Sequence, residues 1–561
     1  MCGRKQFFTK TLEEFRWLVN CRDDLWRVKT LRRWVTPLQR GGHTICTSSA
    51  GVRTQRLELM EQPHSFLKAL PAQEHRSLSM PLVLGVSAAL AIVGVLVASN
   101  PFGHATMLVG GVLALAVLLA ALIYTTRHPA WLIVVLLLTE MLSSNVFVPD
   151  GVNTALRYGV EVLFCAPLLP MIWRAGITSK GGFRLYLLYF AWCFLTVTYS
   201  LSPIYSLGRA LSAMLLIGAL STLALGVSEE ADIRRLLQIY LVGCGILILM
   251  LAISAVVLPR GITFSSTELL DANGNAIPGT VDPISGGIPR FVGIFTQPNE
   301  VGALVLATVG VAMVCWIFAT RRTRLLLALL IATAIGLGIA ADSRSSLGAL
   351  GLGLLAFTLW KFRWRGILLC GALALIGAVA FAASNLGSGY LQRGDVTTLT
   401  GRTDIWAYSL QEVEESPLLG YGYEVEGQIY QLKHFPLWWG PWEEGPRSSL
   451  HNNYLSHLVG VGVPATLLWL FIVLRPWFSL FRQDKDPWGL KPVGLLVVLP
   501  LLVLNFTESG AGDCHYCTGL IFILCWAIAE HARLSRTEAV RSESAVPADS
   551  PLMRAIASAA H

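Results

Sequence analysis

Four arginines and one histidine carry the chemical interest of this sequence: Arg209, Arg290, Arg344, Arg402 and His451. A guanidinium offers planar, bidentate donors that match phosphate oxygens. A neutral imidazole suits removal of a proton from a hydroxyl. If these five groups face the same compartment, they suit transfer from a phosphate-activated donor to an alcohol. Whether they do depends on the elements between them.

Of the 561 residues, 54 % are apolar and 14 % charged. Such a chain is a polytopic helical membrane protein, with fold class all-α and about 12–14 spans. Apolar segments fall at 81–99, 107–124, 130–148, 157–173, 183–198, 208–226, 236–258, 300–319, 325–341, 346–360, 366–384, 453–474, 492–506 and 518–530. Several are shorter than the ~20 residues that a ~30 Å hydrocarbon core requires. The loops with Arg127, Arg174 and Lys180, Arg234 and Arg235, Arg321 to Arg324, Lys361 to Arg365, and Arg475 to Lys491 all fall on one side. Positive charge makes that side cytoplasmic, and both termini lie there. Arg209, Arg290, Arg344, Arg402 and His451 then all face outward. Isolated arginines on that side run against the usual bias and need a reason. The net charge of +8 reflects loops that set topology and touch anionic lipid, and it implies no nucleic acid.

The chain divides into a basic N-terminal extension at 1–79, spans 1–11 at 80–384 with an external loop at 259–299, a large external loop at 385–450, spans 12–14 at 451–530 and a cytoplasmic tail at 531–561. The extension reads either as an arm on anionic lipid or as untranslated sequence ahead of a start at Met80. Long external loops are commonly functional. In the second, Ile405, Trp406, Ser409, Leu410 and Val413 share a helical face that Pro417 ends, which suits a lid along the outer interface. Trp438, Trp439 and Trp442 follow, either as sugar-stacking groups or as an interfacial aromatic belt. Cys514 and Cys517 are the one close cysteine pair, open to a bridge or to free thiols.

Each candidate also has a structural reading. Arg209, at the outer end of a span, serves as a snorkelling anchor or as an anion ligand. Arg290 precedes Pro298 and Asn299, which look like a helix start with Asn299 as N-cap, itself favourable for an anion. Arg344 lies in a tight turn beside Asp342, a ready ion-pair partner. Arg402 sits in Gly401-Arg402-Thr403-Asp404. His451 and Asn452 stand where the large loop re-enters the membrane. Glu140 and Glu161 lie at membrane depth, and Glu161 follows Arg157 by four residues, a structural pair. The sequence has no HExxH, paired-carboxylate or Asp-rich metal motif.

Arg290–Gly302, Ser343-Arg344, Gly401–Trp406, Leu419-Gly420-Tyr421-Gly422 and His451–Leu455 together resemble the O-antigen ligase and Wzy-type polysaccharide polymerase superfamily, over roughly residues 200–475. In the ligases' histidine motif, His451 and Asn452 match and Gly462 is in register, while Ala465 departs at the last position. The resemblance implies a metal-independent, cofactor-free glycosyltransferase in the bacterial inner membrane, active on its periplasmic face. Its donor would be an oligosaccharide on undecaprenyl pyrophosphate. Its acceptor would be a glycan or lipid A-core, and membrane lipid and a chain-length regulator would be further partners. His451 would be the catalytic base, and Arg209, Arg290, Arg344, Arg402, Asn299 and Asn452 would bind substrate. Ala465 tips the reading toward a polymerase. A polysaccharide or lipid-linked oligosaccharide flippase is the alternative, as is an assembly subunit without catalysis. A flippase, however, needs charge along a path to both faces, and internal repeats are common in transporters.

Overall fold

The computed structural model describes residues 121–544 apart from 123, 126–127, 144–149, 169–180, 258–267, 271–275, 282–289, 296, 364, 367, 369–370, 372–401, 435–449, 484–485, 487 and 509–516. The chain divides into two units, Met1–Ala121 and Leu122–His561, and the elements below belong to the second. The helices are α1 (Leu132–Ser143), α2 (Asp150–Cys165), α3 (Gly181–Val197), α4 (Pro203–Leu225), α5 (Glu230–Val257), α6 (Pro298–Phe318), α7 (Arg321–Ala340), α8 (Arg344–Phe362), α9 (Arg402–Glu415), α10 (Glu426–His434), α11 (Asn453–Phe481), α12 (Leu490–Leu504) and α13 (Cys517–Ser544). Among the described residues seven helices are long and apolar enough to cross a membrane: α4 to α8, α11 and α13. Shorter apolar helices include α3 and α12. The protein is thus a polytopic helical membrane protein.

Every apolar segment from 130–148 to 346–360, and each of the last three, falls on a helix. The segments 81–99, 107–124 and 366–384, the extension 1–79, Cys514 and Trp438, Trp439 and Trp442 lie wholly or almost wholly outside the described residues. Some bounds differ from the hydropathy reading. Helix α4 begins at Pro203, because proline fits the first turn of a helix. Helix α2 begins at Asp150 and ends at Cys165. Helix α13 runs to Ser544, so the start of the expected tail continues the last span. Glu268–Leu270 and Ala276–Val281 form an antiparallel ribbon in the first external loop, a small departure from an all-α chain. Cys517 is buried at the start of α13.

Helix α11 positions the site; it is kinked at Gly462 and its hydrogen-bond ladder is interrupted again at Pro476, each time for a local reason. Pro464 has no N–H for the carbonyl four residues back, that of Gly460. Gly462 adopts φ 78° and ψ 171°, backbone open essentially only to glycine. A Cβ there would overlap the Leu418 carbonyl. The freed backbone groups are taken up by the loop at 416–425 and by α3. Tyr421 N donates to Val459 O at 2.9 Å, Gly422 N to Gly460 O at 2.8 Å, and Val463 N to Pro417 O at 2.8 Å. The indole of Trp192 donates to Val461 O at 3.0 Å. The second interruption follows the same rule: Pro476 leaves the Ile472 carbonyl free, and Trp526 Nε1 of α13 donates to it at 2.9 Å. Buried backbone carbonyls are costly without partners, so both interruptions fix their neighbours.

Contacts sort the connections into two ends. Arg234 stacks on Phe318 at 4.2 Å, His531 meets Val227 O at 3.1 Å and Arg536 bonds the Gln483 side chain, which gathers basic connections at one end. Residues 290–299, 341–344, 402, 451 and 505–508 meet at another. Gly462→Ala should destabilise the protein by upward of about 1 kcal/mol. Gly351→Ala, where a Cβ meets open space, should leave stability unchanged or slightly raised. Thermal unfolding of the two purified variants, followed by tryptophan fluorescence, checks the contrast.

Candidate active site

A carboxylate that sequence reasoning did not single out, Glu508, joins the candidate residues. It follows the last turn of α12 and its side chain is 13 % exposed. Its Oε1 accepts from Arg402 Nη2 at 2.7 Å. Its Oε2 accepts from Asn299 Nδ2 at 3.1 Å and lies 3.3 Å from His451 Nδ1. Asn299 Oδ1 in turn accepts from Arg290 Nη2 at 3.1 Å. The chain Arg290–Asn299–Glu508–His451, with Arg402 on the other oxygen, draws on four separate segments of sequence.

Local structure explains each position. Arg290 is held by carbonyls at the α7–α8 turn: its Nε donates to Ala341 O at 3.0 Å and its Nη2 to Asp342 O at 3.2 Å. Phe291 N bonds Ala340 O at 3.0 Å, and Phe291 and Phe295 are fully buried, which anchors the loop leading to α6. Gly302 lets α6 approach that turn, since a Cβ there would overlap Ser343 Oγ. Arg402 opens α9, and it also donates to the Thr507 carbonyl. The shared face of α9 is directed at α11: Ile405, Trp406 and Val413 pack on Leu450, Leu455 and Val459, while Leu410 stays exposed. The apolar face expected to rest on the membrane as a lid therefore packs largely on protein. Trp406 Nε1 adds a hydrogen bond to Leu450 O at 3.1 Å.

His451 has φ 48°, an uncommon left-handed conformation for a side-chain-bearing residue. Its neighbours hold it there. Asn452 caps α11, its Oδ1 accepting from Leu455 N at 3.1 Å, and Asn453 N donates to Asn505 O at 2.8 Å. Two readings of asparagine change as a result. The side chain of Asn452, expected to bind substrate, is buried and engaged as a cap. Asn299, expected as N-cap of α6, lies one residue inside Pro298, with Gln297 at the cap, and its side chain links Arg290 to Glu508 instead.

With its proton on Nδ1, His451 donates to Glu508 and presents the Nε2 lone pair as a base. Burial alone would raise the Glu508 carboxyl. The hydrogen bond from His451 and the Arg402 guanidinium outweigh it and hold the group below its ordinary value of 4.5.

Arg344 is apart from this chain but adjacent: it pairs with Asp342 at 3.3 Å and is 37 % exposed. Arg209 belongs to a second centre. It meets Glu424 at 2.6 Å and Tyr205 Oη at 3.0 Å. Burial raises the Glu424 carboxyl despite Arg209, and burial with Glu424 alongside pushes Glu426 up to about 7. The expected Arg157–Glu161 pair forms at 3.2 Å, and Ser212 also donates to Glu161. The structure thus brings Arg290, Asn299, Arg402 and His451 together, sets Arg344 beside them and places Arg209 elsewhere. The signal for Glu508 was an acidic residue just past an apolar span on the arginine side, the counter-charge such arginines require.

Residues 329–470, which contain Arg344, Arg402 and His451, match the family model described as O-antigen ligase. Over 227 residues, 37 % of this chain, the sequence is 27 % identical to the exopolysaccharide production protein ExoQ of Rhizobium meliloti, covering 51 % of that protein. Over 155 residues, 27 % of this chain, it is 30 % identical to an O-antigen ligase of Pseudomonas aeruginosa, covering 34 % of it. The chain therefore spans about half and about a third of these relatives' lengths. This multi-pass membrane protein carries the resemblance to the O-antigen ligase and polymerase superfamily that its motifs implied.

A depressed carboxyl stabilises the fold fully above its unfolded value and loses that contribution as pH falls through the folded one. Glu508→Gln should therefore melt below wild type at pH 6, and the gap should narrow on acidification below about pH 4.5. Melting curves of both proteins across that range provide the check.

Proposed function

We propose that the protein is a membrane glycosyltransferase that moves glycan from an undecaprenyl-pyrophosphate donor to an acceptor hydroxyl at the outward, periplasmic face of the inner membrane. The observation that carries the reading is the Glu508–His451 contact set among arginines. The imidazole is oriented by a carboxylate, as suits a general base, and the neighbouring cations would offset the charge of a departing pyrophosphate. His451 Nε2 takes the proton of the acceptor hydroxyl. The hydroxyl oxygen bonds to the anomeric carbon of the donor sugar, and the bond from that carbon to the pyrophosphate oxygen breaks. The released pyrophosphate stays on its lipid.

We assign pyrophosphate binding to Arg290 and Arg344. Arg402 holds Glu508 and so acts on His451 through it. Arg209 is engaged by Glu424, and that pair braces the loop at 416–425. The chemistry is metal-independent in this scheme, because the guanidiniums supply the charge that offsets the leaving group. Growth of an exopolysaccharide is favoured over transfer to lipid A-core. The longer matched stretch is to an exopolysaccharide production protein, and Ala465 departs from the ligases' histidine motif.

The test is conversion of lipid-linked glycan to longer or transferred product by purified protein. His451→Ala should lower the rate ~10²–10⁴-fold with normal membrane levels, the range typical of a lost acid-base group. Arg290→Lys should also be costly, because lysine keeps the charge and loses the planar fork. A chelator should leave the rate unchanged. Full activity in His451→Ala would exclude the mechanism.

A further inference from the structure

At the end of the bundle opposite His451, the last turns of α11, the start of α12 and the later turns of α13 enclose a cavity of about 400 Å³. That volume suits a small-molecule ligand. One wall is apolar, formed by Pro476, Leu480, Trp488 and Leu490, and the other is polar, with Gln483 and Arg536. The charges around it differ in what they are free to do. Arg533 is bound through two nitrogens to fully buried Glu530, at 2.7 and 2.6 Å, and Glu530 also accepts from Gly182 N at 2.6 Å. That pair is structural. Asp486 is used by the amides of Leu490 and Lys491, at 2.9 and 2.8 Å.

Two cations remain, and both converge on one neutral residue, one on its side chain and one on its backbone carbonyl. Arg536 donates through Nη1 to the Gln483 side-chain oxygen, and Lys491 Nζ donates to the Gln483 carbonyl. Among the described residues neither forms an ion pair. Lys491 is only 7 % exposed. Among the described residues the nearly buried Lys491 ammonium and the exposed Arg536 guanidinium meet a neutral amide group and no carboxylate, and burial makes the ammonium's charge costly without an anion. Beside them, the apolar wall continues toward the lipid-facing surface of α11, where Phe478 is 63 % exposed.

We propose that this cavity is a binding site for an anionic phospholipid. The phosphate lies against Arg536 and Gln483, near Lys491, and the upper part of an acyl chain lies along Pro476, Leu480 and Trp488. A free phosphate would leave the apolar wall wet, and a zwitterionic lipid would bring its own cation to the two already present. Basic pockets between helices at the cytoplasmic side of membrane proteins bind anionic headgroups by this chemistry. The bound lipid would brace α11 against α13 where Pro476 interrupts α11.

The experiment uses the purified full chain in detergent. Native mass spectrometry counts retained phosphatidylglycerol or phosphatidylcholine of matched chain length, and thermal unfolding is followed with each lipid or with inorganic phosphate alone. Wild type should retain and be stabilised by phosphatidylglycerol in preference to phosphatidylcholine, with no effect of phosphate. Arg536→Gln should cut phosphatidylglycerol retention about fivefold, the worth of one interfacial cation. Ala532→Leu, which adds bulk to the cavity wall without changing charge, should also lower it. Retention of phosphatidylglycerol at the wild-type level in Arg536→Gln, equal retention of the two lipids by wild type, or full stabilisation by phosphate alone would each overturn the proposal.

Discussion

A single largely buried carboxylate sets the terms for the candidate site. Glu508 is taken from water and must recover its hydration from protein donors. It does so from Arg402, Asn299 and His451, which belong to α9, α6 and the entry to α11. Removing one partner of such a group leaves an uncompensated charge, typically a loss of ~3–5 kcal/mol. None of these contacts forms until α6, α9, α11 and α12 have docked. The site is therefore a property of the assembled bundle, and the same bonds that satisfy Glu508 fix the tautomer and direction of the histidine.

Docking at the right height depends on the break in α11. A straight helix would keep its carbonyls to itself and leave the loop at 416–425 without partners. Pro464 and Gly462 instead release Val459, Gly460 and Val461, and the loop and Trp192 bond to them. Arg209 and Glu424 close the same loop from the α4 side. His451 lies about three turns before the break, so strain there would reach it through α11. The left-handed backbone of His451, Asp342 and Glu424 belongs to this tightly determined region. Uncommon backbone conformations persist where surroundings over-determine them, and they cluster at functional sites.

Much of this was legible in the sequence, for identifiable reasons. Hydropathy marks helices because burial in lipid demands long apolar runs, so the expected spans within the described residues fall on helices and only their ends moved. Charge asymmetry marked Arg209, Arg290, Arg344, Arg402 and His451 as sharing a side; the contacts gather the last four and leave Arg209 with Glu424. The helix at 402–415 was legible from its apolar face, but periodicity says that a face is covered and not by what. The face packs on α11 where an interfacial lid was expected. The asparagines show a related limit: Asn452 caps α11, and Asn299, read as an N-cap, links Arg290 to Glu508 instead. A side chain at a helix start can cap, bridge or bind, and only three-dimensional contacts separate the uses.

Glu508 escaped for a deeper reason. Reading the arginines as ligands for an absent anion assigned their charge to substrate and left the empty protein unbalanced. A guanidinium near the hydrocarbon boundary cannot wait unpaired, because its desolvation is costly in the resting state as well. The structure answers with internal anions: Glu508 for Arg402, Glu424 for Arg209 and Asp342 for Arg344. Under the proposed function, an arriving pyrophosphate would compete with carboxylates already in place. It would gain most at the guanidinium that is already most open. Arg344 is 37 % exposed, against 17 % for Arg402 and 18 % for Arg209. That ordering separates arginines that build the site from those placed to meet a ligand, a distinction that charge counting along the chain does not make.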